Sequence, residues 1–227
     1  MKYNNIVEAT FLERPNRFIA KVLIHGKEET VHVKNTGRCK ELLIKGCKVL
    51  LEKSDNPKRK TLYDLVTVYK DGIGWVNIDS QLPNKVIQEW LEKGEYFKHI
   101  TFIKPEFKYG ESRLDFYFEN EGKKCLMEVK GVTLFKDGKG YFPDAPTTRG
   151  ARHLKELIKG KKDGYESYVA FVAQAEGFDE VYPNEITDKE FSSTLYEAVK
   201  EGVKVLILGC DVNESTVIIN KVREMLY

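Results

Sequence analysis

Along the first eighty positions, apolar residues recur on alternate positions in short runs broken by turn residues. From Arg17 to Ile24, Phe18, Ala20, Val22 and Ile24 fall on one parity, the period of a half-buried strand. His25-Gly26-Lys27 then turns the chain toward Thr30-Val31-His32-Val33. Further strand-like runs cover Cys47 to Leu51, Leu62 to Tyr69 and Ile73 to Ile78, separated by Asn56-Pro57 and Asp71-Gly72. Five or six short strands within about 80 residues predict a small β-barrel, for which the oligonucleotide-binding barrel is one candidate.

The pattern changes after Pro83. Val86, Ile87, Trp90 and Leu91 share the face of a helix expected over 84–93, with Asn84 as its N-cap and Gly94 as its stop. Strands are expected near 100–107, 112–119, 124–130 and 167–174. A helix over 188–201 follows from a Thr187-x-x-Glu190 capping box, a stripe of Phe191, Leu195, Ala198 and Val199, and Gly202 beyond its end. The run Val203 to Leu208, apolar apart from Lys204, reads as a buried central strand. From Ser215 the tail fits strand and helix equally. These periods predict a mixed α+β chain: a small barrel over 1–82, then an α/β domain over 83–227 with a mixed sheet flanked by helices.

Composition narrows the classes. With 41% apolar and 32% charged residues, the 227-residue chain can bury a sizeable core. Its net charge of +2 excludes a uniformly basic binder. The sum hides an asymmetry, because residues 1–80 carry 15 Lys/Arg against 10 Asp/Glu and residues 81–227 carry 22 against 25. The longest apolar run, Tyr168 to Ala173, is far too short to span a membrane, and the N-terminus lacks a signal-peptide core. Cys39, Cys47, Cys125 and Cys210 are too widely spaced for a zinc site or a small disulfide framework. A cytoplasmic protein with no membrane partner is expected.

Chemistry concentrates in Ser112-Arg113-Leu114-Asp115-Phe116-Tyr117-Phe118, a turn at Asn120-Glu121-Gly122, and Cys125-Leu126-Met127-Glu128-Val129-Lys130-Gly131. Leu114, Phe116 and Phe118 share a parity, so Asp115 is expected on the opposite face. Glu128 and Lys130 share a face two residues apart. A hairpin would bring Asp115 opposite Glu128. Two carboxylates and the Val129 carbonyl would then offer hard oxygen ligands for Mg²⁺, with Lys130 beside it to hold water and screen charge. A Glu-x-Lys pair is also an ordinary solvated pair. Burial decides between the two, since the strand around it is apolar and buried charge needs partners.

Thr148 is expected to cap a helix whose inward face is Ala151, Leu154 and Ile158, while Arg149, Arg152, His153 and Glu156 project together. A helix start with two arginines suits phosphate but is equally an ordinary exposed terminus. His153 reads as a polar contact rather than a general base. Gln174 closes an apolar strand, where it either reaches the site or marks the strand's exit. The loop Asn35-Thr36-Gly37 with Arg38 and Lys40 reads first as a turn, and second as amides and cations for a phosphate. Lys58-Arg59-Lys60 is a second basic cluster. Given the positive balance around both, a nucleic-acid surface is expected there, extended by Arg17, Arg113, Thr148, Arg149 and Arg152. Phe18, Tyr63, Tyr69 and Trp75 are candidates for stacking on bases.

Several segments, in order, resemble the sugar fermentation stimulation protein A family. They are Asn35-Thr36-Gly37-Arg38 with Glu41-Leu42-Leu43, Arg59-Lys60 before Tyr63-Asp64-Leu65, and Val76-Asn77-Ile78 with Pro83-Asn84. Ser112 to Phe116, Glu128-Val129-Lys130, Tyr141-Phe142-Pro143-Asp144-Ala145 and Thr147-Thr148-Arg149-Gly150 complete the series. Cys39, Ser80 and Pro146 depart from the family's usual residues, and none is a proposed ligand. The resemblance implies an oligonucleotide-binding-type barrel contacting DNA and a restriction-endonuclease-like PD-(D/E)xK domain using Mg²⁺ or Mn²⁺. It implies catalytic Asp115, Glu128, Lys130 and Gln174 and a link to sugar-utilisation genes, and its divalent ion agrees with the Asp115, Glu128 and Val129 ligand set read from the strands. A metal-dependent DNA nuclease is the leading reading, and a homodimer stays open. A DNA-binding regulator with a non-catalytic nuclease-like domain is the alternative. An enzyme of small phosphorylated metabolites has no Gly-rich phosphate loop to support it.

Overall fold

A computed structural model describes residues 1–35 and 37–225. Six strands fill the first third of the chain: β1 (Ile6–Asn16), β2 (Ile19–Ile24), β3 (Lys27–Val33), β4 (Lys48–Lys53), β5 (Tyr63–Lys70) and β6 (Gly74–Asn77). Their order is β3-β2-β1-β4-β5-β6, and a parallel pairing of β3 with β5 at His32 and Val33 closes the sheet into a barrel. His25 and Gly26, both at positive φ, form the two-residue β2–β3 turn that matches strand twist. The longest barrel strand, β1, lay outside the sequence expectation. It pairs with β4 through Ile6–Thr10 and with β2 through Thr10–Asn16, and register shifts after Phe11 and Glu13 bend it between the two. That bend breaks the clean alternation by which a strand is read.

A second six-stranded sheet has the order β15-β14-β12-β9-β8-β7. In chain order its strands are β7 (Ile100–Tyr109), β8 (Ser112–Asn120), β9 (Lys123–Val132), β12 (Glu166–Ala173), β14 (Lys204–Val212) and β15 (Val217–Met225). β9, β12 and β14 run parallel in the centre, with antiparallel strands outside them. A three-stranded sheet of β10 (Leu134–Lys136), β11 (Lys139–Phe142) and β13 (Val181–Pro183) sits beside it. The tail after Ser215, left undecided by its pattern, is the antiparallel edge strand β15.

Three helices cover the large sheet: α1 (Leu82–Lys93), α2 (Thr148–Lys162) and α3 (Lys189–Lys200). The parity of β12 divides its two faces. Tyr168, Ala170 and Val172 meet Val86, Ile87, Trp90 and Leu91 of α1 in one apolar cluster, while Val169 and Phe171 meet Leu154, Leu157 and Leu195 of α2 and α3 in the other. Leu114 of β8 belongs to the α2 side and Phe116 and Phe118 to the α1 side, so the shared parity expected for these three is broken at Asp115.

All three helix starts are displaced from the sequence expectation. α1 begins at Leu82 with Pro83 in its first turn, so Asn84 lies inside the helix. Thr147 rather than Thr148 caps α2, its hydroxyl accepting from the Gly150 N–H at 3.0 Å. Asp188 rather than Thr187 caps α3, accepting from Phe191 at 2.8 Å. At α2 and α3 two cap-competent residues stand side by side and only one is used, whereas the N-cap residue of α1 is Gln81, with no side-chain cap. No helix among the described residues is long and apolar enough to cross a membrane.

Barrel and sheet are bonded together at the end of β6. The Asn77 N–H donates to the Gln174 carbonyl at 2.9 Å, and Val76 bridges Ala175. The Gln174 amide nitrogen donates to the Asn77 carbonyl (3.1 Å), the Asn77 side chain (3.2 Å) and the Asp79 carbonyl (3.3 Å).

Candidate active site and nucleic-acid surface

β8 and β9 form a ladder from the Glu121-Gly122 turn back to Phe116 paired with Met127, where it ends. Continuing that register sets Asp115 across from Glu128. The strands part here, and the Val129 N–H donates to Asp115 Oδ2 at 2.8 Å. Asp115 Oδ1 accepts from the Asn84 side chain at 2.8 Å, so α1 fixes the carboxylate from one side.

Glu128 emerges toward α2 and is buried, at 3% exposure. Its Oε1 accepts from Lys130 Nζ at 2.7 Å and from His153 Nδ1. Its Oε2 is buried with no hydrogen-bond partner. His153 is buried beneath α2, correcting the expectation that it projects with Arg149 and Arg152. Burial alone would raise the Glu128 pKa, but the Lys130 charge and the His153 hydrogen bond outweigh it and hold the carboxyl below its ordinary value. Asp115 is pushed the other way, by burial first and the Glu128 charge second, against the smaller effects of Val129, Asn84 and Lys130.

The residues expected to act together divide into two groups. Asp115, Glu128, Val129 and Lys130 share one locus. Gln174 is engaged through its amide nitrogen by the barrel, while its Oε1 faces Gly131, where a Cβ would stand 2.3 Å away. It lines a cleft of about 320 Å³ at the junction, together with Asn35, Gly37, Ser80, Gly131 and Asp144.

On the barrel, Arg17, Arg38, Lys40 and Lys45 line a groove of about 650 Å³ whose walls include Phe11 and Leu43. Arg14 organises it. Its two terminal nitrogens donate to the carbonyls of Asn35, Gly37, Arg38 and Arg17 at 2.6–2.8 Å. The Gly37 N–H is already bonded to Asn35 Oδ1, and the Asn35 amide to Ile78, so these groups hold the loop rather than present a free amide cradle. Thr36 lies outside the described residues. Lys58 and Lys60 are exposed, whereas Arg59 forks onto Asp64 at 2.6 and 2.9 Å. Arg113 and Arg152 are exposed, Arg113 beside Glu106, and Thr148 opens α2. Arg149 donates from Nε to His153 Nε2 at 3.3 Å. Of the stacking candidates, Phe18 (50%) and Tyr69 (39%) are exposed, and Arg17 lies over the Phe18 ring.

Arg14, the Asn84–Asp115 bond and the His153–Glu128 contact escaped the sequence reading.

Fold and site together define a two-domain protein: a closed barrel with a basic groove, joined to a mixed α/β sheet whose parting strands hold an acid pair and a lysine. Residues 12–78 match the family model of the SfsA N-terminal OB domain, and residues 81–216 that of the sugar fermentation stimulation protein RE domain. The chain belongs to the sugar fermentation stimulation protein family. It is 53% identical over 225 residues to a sugar fermentation stimulation protein homolog of Ruminiclostridium cellulolyticum, covering 99% of each chain. A homolog of Clostridium beijerinckii is 53% identical over 217 residues, covering 96% of each. Pyrococcus furiosus SfsA, solved in complex with Ca²⁺, superposes with a TM-score of 0.84 at 29% identity, covering 98% of this chain and 96% of that one.

Proposed function

We propose that this chain is a metal-dependent nuclease acting on DNA, which the barrel grips and the second domain cuts. The observation that carries the reading is the buried, unpartnered Glu128 Oε2 beside Asp115. An anionic oxygen taken out of water without a donor is costly, and a hard cation is the ligand that suits it. Among the described residues no three His, Cys, Asp or Glu side chains converge as a metal cluster. The donor set is therefore lean: Asp115, Glu128 and the Val129 carbonyl, with water completing the shell, as Mg²⁺ or Mn²⁺ accepts. The Ca²⁺ in the Pyrococcus furiosus relative supports a divalent site.

A divalent ion held there would supply Lewis acidity toward a phosphodiester. Lys130 has three N–H donors and gives one to Glu128. The others can hold an attacking water in line and stabilise the negative charge that grows on the phosphorus oxygens. Asn84 and the Val129 N–H keep Asp115 in one orientation throughout. Arg17, Arg38, Lys40 and Lys45 would neutralise backbone phosphates in the barrel groove, joined by the exposed Lys58, Lys60, Arg113 and Arg152. Gln174 would act from the junction, where the barrel fixes its amide.

The test is cleavage of single- and double-stranded DNA with Mg²⁺ or Mn²⁺. Asp115→Ala and Lys130→Ala should each lose about a hundredfold or more in rate. Variants as active as the wild type would sink the reading. The barrel builds its basic groove without any residue of the second domain, which favours DNA binding in its own right. A regulator without turnover would show sequence-specific, metal-independent binding and no cleavage with either ion.

A further inference from the structure

We propose that His153, held by Arg149, is a positioning residue that aims Glu128 Oε2 at the divalent cation. This rests on the metal-site reading above. Arg149 and His153 are one turn apart on α2, whose Ala151, Leu154, Leu157 and Ile158 are buried against the sheet. A guanidinium only donates. The Arg149 Nε–H to His153 Nε2 bond therefore makes Nε2 the acceptor and leaves the ring proton on Nδ1. Nδ1–H in turn donates to Glu128 Oε1, the same oxygen that Lys130 holds.

Two consequences follow for Glu128. Both protein donors converge on one oxygen, which fixes the carboxylate's rotation and leaves the other oxygen for a ligand. His153 itself has neither ring nitrogen free, so it is not a metal ligand, although a histidine beside two acids invites that assignment. Groups that orient a ligating side chain in this way typically govern metal affinity by ten- to hundredfold. A histidine present only to satisfy a buried polar group would alter stability and leave that affinity alone.

Mn²⁺ titration of the full chain by calorimetry, at one pH and without DNA, separates the two. His153→Ala should weaken Mn²⁺ binding by about ten- to hundredfold, while His153→Asn, which restores an N–H near the position of Nδ1, should stay within about threefold of the wild type. Arg149→Ala should fall between them. If His153→Ala does not fold, His153→Phe supplies a ring of similar size without a donor and should show the same loss. Wild-type affinity in His153→Ala or His153→Phe overturns the proposal, as does a His153→Asn variant as weak as His153→Ala. Glu128→Gln is measured in parallel. If it binds Mn²⁺ unchanged, or if the wild type binds none, the metal site falls and this proposal with it. If Glu128→Gln loses the ion and His153→Ala keeps it, only the positioning role fails.

Discussion

Asp64 is buried and Asp115 half-buried, and the protein treats the two acids in opposite ways. Asp64 meets the Arg59 fork, His32 Nδ1 at 2.9 Å and Lys34 at 3.3 Å. Burial alone would raise its pKa, but those partners overcome it and hold the carboxyl at about 2. Asp115 receives only neutral N–H donors and sits above its ordinary value. The first is a satisfied structural charge; the second is an acid that burial and the neighbouring Glu128 charge push upward. Because the folded pKa of Asp64 lies below its unfolded value, its contribution is full above about pH 4 and is lost as pH falls toward 2. The loss amounts to about 2 kcal/mol. Denaturant titrations at pH 5 and pH 2.5 should show this extra acid sensitivity in the wild type and not in Asp64→Asn. Equal acid losses would contradict it. At this scale Glu128 and Lys130 were legible because strand parity alone puts them on one face. Arg59 was not: a basic residue read as open to phosphate is indistinguishable, in one dimension, from one already committed to a buried acid. His153, read as a polar contact, is one, but its burial and its partner Glu128 were not legible.

Among the elements, β9 carries the greatest constraint. Glu128, Val129 and Lys130 are followed at once by Gly131, packed between the Gln174 amide and Pro83 of α1. A Cβ there would lie 2.3 Å from Gln174 Oε1 and 2.8 Å from the Pro83 ring. Gln174 cannot swing aside without breaking its three bonds to the barrel, and Pro83 is buried in the first turn of α1. Gly131→Ala should therefore cost about 1–3 kcal/mol by overpacking, read as a lowered midpoint in urea. A neutral variant would show that the junction yields more easily than its contacts indicate. Strands and helices with uninterrupted periods, such as β12 and α3, could be read from the chain directly. β1 was hidden by its bulged corner, and the caps of α2 and α3 were blurred because Thr147-Thr148 and Thr187-Asp188 each offer two candidates side by side.

Across the whole molecule, the near-neutral charge resolves into a basic barrel and an acidic sheet domain. Long-range attraction to a polyanion then belongs to the barrel groove, and its strength must fall with salt. Arg38→Ala should weaken DNA binding without changing sequence preference and reduce the slope of log K against log salt by about 1. An unchanged slope would remove Arg38 from the phosphate contacts. The bonds between β6 and Gln174 bear on a different property. The amide of Gln174, the backbone of Asn77 and the Val76–Ala175 bridge are buried between two sheets, and neither sheet can open there without stranding polar groups of the other. One apolar cluster also runs from barrel residues such as Val33 and Ile78 into Leu126, Leu154 and Phe171 of the sheet domain, so the chain should melt as one cooperative unit. Calorimetry is expected to give a single endotherm whose van't Hoff and calorimetric enthalpies agree, and two resolved endotherms would show that the junction does not couple barrel and sheet.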